Sequence, residues 1–198
     1  MKELQPEDSL KLIRDVMDKS ARYTHFSGIS GIVAGLVAII GCIVTWKVAY
    51  TPAIAYNYSI YALIWIFTFI IAISQDFYLA NRKARRNGQN LWGPAAIHII
   101  KAVLPGVFIA LVLSVRFLID RNLGDIPSIW ALCYGVSLCA AGLFTVKEVT
   151  YHGVAQLVIG TLGLALKLDW PASLILAGIS MGLCHIVFGI VIVSRYGR

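Results

Sequence analysis

Apolar residues dominate six long runs of the chain, which cover residues 27–46, 58–79, 95–118, 128–146, 150–166 and 172–193. A helix needs about 20 apolar residues to cross the hydrocarbon core of a bilayer. Each run is close to that length, and the polar segments between the runs are short. The sequence therefore predicts an all-α, polytopic membrane protein: a bundle of six transmembrane helices over residues 27–194, with a short tail at 195–198 and no separate soluble domain.

A polar, amphipathic arm, residues 1–26, precedes the first run and carries five basic and five acidic side chains. Asp8-Ser9 is suited to capping a helix, and an apolar stripe follows it at helical spacing. The stripe consists of Leu10, Ile13, Val16, Met17 and Ala21. This pattern predicts an interfacial helix over 8–22, which either anchors the arm to the inner leaflet or docks a cytoplasmic partner protein. A cleaved signal peptide is not expected, because the arm lacks a brief apolar core.

Composition supports the membrane interpretation. Hydrophobic residues make up 59% of the chain and charged residues 14%, whereas soluble domains average about 45–50% and about 25%. The net charge of +7 is concentrated in the arm and the connections. It therefore indicates topology and some attraction to anionic lipid, and not nucleic-acid binding.

Basic residues are distributed unevenly between the two ends of the predicted helices. Twelve lysines and arginines lie in the arm, the second and fourth connections and the tail, whereas three lie in the other connections, namely Lys47, Arg121 and Lys167. Because basic residues are retained on the cytoplasmic side, both termini are predicted to be cytoplasmic. The second connection is expected to bind anionic lipid head groups through Arg82, Lys83, Arg85 and Arg86.

Small residues recur at helical spacing in the first run, as Gly31-x-x-x-Gly35 and Ala34-x-x-x-Ala38. Such spacing lets helix backbones approach closely in a membrane. The face of Gly31, Gly35 and Ala38 is therefore predicted to be a packing seam, either against a neighbouring helix of the same chain, or in a homo-oligomer, or with a partner protein. Glycines seven apart in later runs suggest a duplicated hairpin, with Gly28 equivalent to Gly153 and Gly135 equivalent to Gly182.

Ionisable residues inside apolar runs are costly in a bilayer, and so they mark candidate functional sites. Glu148 and His152 are four apart on one helix face, where the carboxylate can hold the imidazole by a hydrogen bond. His185 lies about 15 Å deeper in the membrane than Arg195, at 1.5 Å per residue. We expect Glu148, His152 and His185 to line a polar cavity open to the cytoplasm that binds a small ligand, a proton or a metal ion. Two histidines and a carboxylate suit zinc or another divalent metal.

Three further ionisable residues, Asp76, His98 and Lys101, are predicted at the cytoplasmic ends of the second and third helices. They either join the same cavity or contact lipid head groups, while His185 has the alternative of bonding a neighbouring helix. The sequence contains no H-E-x-x-H, G-x-S-x-G or C-x-x-C-H motif. An enzymatic activity is therefore not favoured, and no catalytic residues are predicted.

Four stretches carry a resemblance to known proteins, at 12–17, 27–35, 76–84 and 182–190. Over most of its length the chain resembles a group of small bacterial multi-helix membrane proteins to which no activity is assigned. The resemblance implies a six-helix protein of the bacterial inner membrane. The first run, with Ala34 and Ala38, also resembles the substrate-binding subunits of energy-coupling-factor vitamin transporters, in which an alanine pair docks the energising subunit.

Three classes of function therefore remain open. The first is a non-enzymatic ligand-sensing protein, or one that binds a small ligand or ion. The second is a small transport component, and the third is a structural or assembly protein of the membrane.

Overall fold

The computed structural model describes residues 28–54, 57–86, 92 and 94–196, with the backbone alone at 94 and 95. The predicted helix over 8–22 and the last two residues of the tail lie outside the described residues. The helices are α1 Gly28–Ala49, α2 Tyr58–Arg86, α3 Pro94–Ile119, α4 Ile126–Ala141, α5 Lys147–Leu166 and α6 Ser173–Tyr196. The 3-10 turn Gly142–Phe144 prolongs α4, and α6 contains a π-helical segment, Gly178–Leu183.

Six of the described helices are long and apolar enough to cross a membrane. The predicted all-α bundle of six transmembrane helices is therefore confirmed, and the chain is a multi-pass integral membrane protein. The bundle has one end at which α1, α3 and α5 begin and α2, α4 and α6 end. We call this the basic end, because Arg86, Lys147 and Arg195 lie there.

Neighbouring helices follow the order α2, α1, α6, α5, α4, α3. Burial inside the protein differs between the helices. In the most apolar stretch of each helix, 33% of the residues are buried in α1, α4, α5 and α6, compared with 6% in α2 and in α3. The protein core thus lies among α1, α4, α5 and α6. The other two helices are peripheral and expose rows of large apolar side chains, as expected of surfaces that face lipid.

Glycines bring two antiparallel helix pairs into close backbone contact. In the α1–α6 pair, a Cβ atom added to Gly35 would lie 2.5 Å from the carbonyl oxygen of Gly182. In the α4–α5 pair, a Cβ atom on Gly135 would lie 2.9 Å from the carbonyl oxygen of Gly153. Because lipid provides no hydrophobic drive for helix association, this close packing is what stabilises both pairs.

The predicted seam on α1 is occupied within the chain. A Cβ atom on Gly31 would lie 3.3 Å from the Cα atom of Gly189 on α6, and Ala34 and Ala38 are 9% and 7% exposed. Of the interpretations left open by the sequence, the structure favours packing against a neighbouring helix. The buried alanines are not available to dock a second subunit, so the likeness to transporter subunits loses the feature on which it rested.

Candidate functional site

A polar stripe runs along α5 from the basic end to the middle of the helix. Its members are Glu148, His152 and Gln156, which are spaced four residues apart and are 4%, 6% and 0% exposed. Residues at this spacing lie on one face of a helix. Their hydrogen-bond and ring partners come from α6 and, for His152, also from α4. The stripe therefore lies inside the protein, away from lipid.

At the basic end, Glu148 is bound by the last turn of α6. The Arg195 guanidinium donates to Oε1 of Glu148 at 2.6 Å, and the Tyr196 hydroxyl donates to Oε2 at 3.0 Å. The predicted hydrogen bond from His152 to this carboxylate is not formed. Arg195 carries a full positive charge, which the neutral imidazole lacks, and it therefore makes the stronger hydrogen bond to the carboxylate.

One turn further along α5, His152 meets His185 of α6. Their ring centroids are 4.6 Å apart at an interplanar angle of 85°. Tyr134 of α4 stacks on His185, and its hydroxyl lies 3.1 Å from Nε2 of that ring. Phe188 stacks on His152 with centroids 4.8 Å apart. The two histidines predicted to share a site are therefore in direct contact, packed between two aromatic rings.

Near the middle of α5, Gln156 is clamped to the π-helical segment of α6. Its Nε2 donates to the carbonyl oxygen of Ser180 at 2.8 Å, and the Ser180 hydroxyl donates to its Oε1. The same Nε2 lies 3.0 Å from Nε2 of His152. Nδ1 of His152 is buried, and no described residue is hydrogen-bonded to it. The clamp and the histidine pair thus form one connected network.

No hydrogen bond or ring contact of the described residues joins the other predicted site residues to this network. Asp76 of α2 is exposed and accepts a hydrogen bond from Nε2 of Gln75 at 2.6 Å. His98 of α3 is exposed and stacks on Phe144 at 5.2 Å. Lys101 is also exposed. The structure therefore does not bring His98 and Lys101 to the histidine pair.

A metal centre made from Glu148, His152 and His185 is not assembled. Among the residues that the structure describes, no group of three histidine, cysteine, aspartate or glutamate side chains is placed to hold a metal ion. The reason is the partner of Glu148, because Arg195 holds its carboxylate at the basic end. Within the described part of the chain, the histidine pair has no third ligand of the kind that zinc requires.

Sequence reasoning missed Tyr134, Gln156 and Ser180. Gln156 continues the four-residue spacing of Glu148 and His152, so the sequence did contain a signal for it. Tyr134 and Ser180 lie on other helices, and nothing in their spacing relates them to α5.

Fold and site together define a class, a six-span α-helical membrane protein with a histidine pair inside the bundle. No protein-family model, no curated protein and no solved structure matches the chain. The resemblance to small bacterial membrane proteins therefore remains a prediction from the sequence.

Proposed function

We propose that the protein is a non-enzymatic, proton-responsive membrane protein in which the His152–His185 pair binds the proton. The observation that supports this proposal is the direct contact between the two rings, at 4.6 Å between centroids, inside the transmembrane bundle. Burying an ionisable group inside a membrane protein costs free energy, and forming proton relays is one of the established functions of such groups. Among side chains, histidine has the unperturbed pKa that lies nearest physiological pH.

The packing of the cluster favours a proton over the other ligands considered. Tyr134 and Phe188 stack against the two imidazoles, so that aromatic surface covers the rings. A proton adds charge without needing room for another molecule, whereas an organic ligand or a metal ion would have to displace these rings. Two positive charges at this separation repel each other strongly in a low dielectric. We therefore expect the second proton to bind only at a lower pH than the first.

The proposed setting is the bacterial inner membrane, with the basic end in the cytoplasm. At 1.5 Å per residue α2 is about 43 Å long, which exceeds the hydrocarbon thickness of about 30 Å. We place its last turns beyond the hydrocarbon core at the basic end, because they are the charged turns of the helix. These turns carry Arg82, Lys83, Arg85 and Arg86, and anionic lipid head groups are the partners that this charge suits.

Proton binding is tested by nitrogen NMR of the histidine rings in detergent-solubilised protein as the pH is lowered. We expect one ring of the pair to become charged, and we expect the thermal unfolding temperature to change over the same pH range. His152→Gln and His185→Gln should each reduce that pH dependence. His98→Gln is the matched control, because His98 is exposed and outside the cluster, and it should leave the contribution of the pair intact.

Two results would overturn the proposal. One is that both rings stay neutral at every pH at which the protein remains folded. The other is that native mass spectrometry of the purified protein detects a metal ion or organic molecule whose binding is lost in His185→Gln, since the pair would then serve that ligand and not a proton.

A further inference from the structure

Hydrogen bonding fixes the orientation of the Gln156 side-chain amide. The carbonyl oxygen of Ser180 can only accept a hydrogen bond, so the amide atom 2.8 Å from it must be the nitrogen. The amide oxygen then accepts from the Ser180 hydroxyl. Turning the amide over would place its oxygen against the Ser180 carbonyl oxygen, and the two acceptors would repel each other. Gln156 therefore presents its nitrogen to His152.

This orientation also fixes the tautomer of His152. The second hydrogen of the Gln156 amide is directed at Nε2 of His152, 3.0 Å away. Because an amide nitrogen only donates, Nε2 of the neutral ring must be the acceptor and its proton must be on Nδ1. Nδ1 is the buried ring atom without a hydrogen-bond partner among the described residues.

Protonation of His152 is incompatible with this arrangement. The added proton would occupy Nε2, where an N–H group would then face the N–H group of Gln156. The conflict is relieved only if the amide turns its oxygen towards His152, and that movement breaks its bond to the Ser180 carbonyl. The charged imidazole and the hydrogen bond from Gln156 to the Ser180 carbonyl oxygen therefore exclude each other.

Ser180 lies in the π-helical segment Gly178–Leu183, whose wider hydrogen bonding includes the bond from the Cys184 N–H to the carbonyl of Ile179. Such segments occur frequently at functional sites. We infer that protonation of His152 releases the Ser180 carbonyl from Gln156 and shifts the π-helical segment relative to α5. This inference rests on the proposed function, because it supplies the structural response to proton binding.

Few charged groups of the described residues face His152. The titratable groups that face α5 at this level are Tyr134 and Cys139 from α4 and His185 from α6. Glu148, one turn earlier on the same helix, is already paired with Arg195. No carboxylate of the described residues is hydrogen-bonded to His152 to hold its charge. A proton on His152 thus acts mainly on Gln156 and the neighbouring ring.

The test compares the His152 ring with the backbone amides of Gly178 and Gly182 in NMR spectra of labelled protein. At neutral pH the ring should show the tautomer that is protonated on Nδ1. As the pH falls, the two glycine amides should shift with the same midpoint as His152. An Nε2-protonated ring at neutral pH, or uptake of the proton by His185 alone, would overturn the inference and leave proton binding itself intact. Glycine amides that stay constant while His152 becomes charged would do the same. Rings that never become charged would instead refute the proposed function.

Variants of Gln156 separate the switch from general destabilisation. In Gln156→Leu, His152 should still bind a proton, but the glycine amides should no longer follow it. In Gln156→Glu, the new carboxylate accepts from charged His152, so the shifted glycine signals should be present already at neutral pH. This second variant carries the test if the leucine variant does not fold. Tyr151→Phe, a change at an exposed neighbour of His152, is the control and should behave as the wild type. Coupling that persists unchanged in Gln156→Leu and Gln156→Glu would contradict the inference.

Discussion

Alanine at Gly35 places a methyl group in the closest part of the contact between α1 and α6. Its Cβ atom would lie 2.5 Å from the carbonyl oxygen of Gly182 and 2.7 Å from Cγ1 of Ile186, well inside the optimal separation of about 3.5–4.0 Å. Overpacking of this kind costs about 1–3 kcal/mol. Alanine recovers about 0.5–1 kcal/mol relative to glycine in a helix. The free energy of unfolding should therefore fall by about 0–2.5 kcal/mol.

Two other glycines provide a graded comparison for Gly35→Ala. A Cβ atom on Gly31 would lie 3.3 Å from its nearest neighbours, so Gly31→Ala should have a smaller effect. A Cβ atom on Gly178 would meet nothing closer than the sulfur atom of Cys42 at 4.0 Å. Gly178→Ala is therefore the matched control, expected to be neutral or to gain about 0.5–1 kcal/mol. Equilibrium unfolding in mixed micelles measures all three variants, and light scattering gives the size of the particle.

Equal free energies of unfolding for Gly35→Ala and Gly178→Ala would refute the close approach of α1 and α6. A change in oligomer size for Gly35→Ala, without a change in unfolding, would show that this face belongs to an interface between chains.

Three further outcomes can be measured. Arg195→Gln should lower the free energy of unfolding by about 1–3 kcal/mol. Glu148→Gln should lower it less, because it leaves a charge on Arg195, whose side chain is 55% exposed, whereas Arg195→Gln leaves the buried Glu148 without its partner. The reverse order would contradict the role of Arg195. Tyr134→Phe removes the hydrogen bond to His185 and should cost about 1 kcal/mol, whereas Tyr151→Phe at an exposed site should cost nothing measurable; equal costs would argue against that bond. A reporter that is active only in the periplasm, fused after residue 198, should be inactive, and activity there would reverse the proposed topology.

Hydropathy was sufficient to predict the spans, because a helix in lipid must satisfy its backbone hydrogen bonds internally and must be long enough to cross. Helix ends were less predictable. The apolar runs stop at 79 and 193, yet α2 continues to Arg86 and α6 to Tyr196. Polar side chains end an apolar run, but they are still compatible with a helix. The basic end therefore contains helical turns where the sequence predicted a connection and a tail.

Contacts between helices could not be predicted from spacing within one helix. Spacing placed Glu148 and His152 on one face correctly, but it could not reveal that the last turn of α6 reaches Glu148. The predicted duplication has a similar limit. If the two helix pairs were duplicates, the residue that packs on Gly28 would correspond to the residue that packs on Gly153. Gly28 packs on Gly189 and Gly153 packs on Gly135. Gly135 would therefore correspond to Gly189. The sequence match had equated Gly135 with Gly182, seven residues away.

The pairing of α1 with α6 also constrains how the chain matures during synthesis. The α4–α5 pair joins neighbours in sequence and can form as soon as both have entered the bilayer, whereas α1 must wait until residues 173–196 have been translated. At about 5–20 residues per second, that interval lasts many seconds. During it, the glycine face of the first span lacks the α6 partner on which it packs in the folded protein. A ribosome that stalls before the last span leaves a product that cannot close its core.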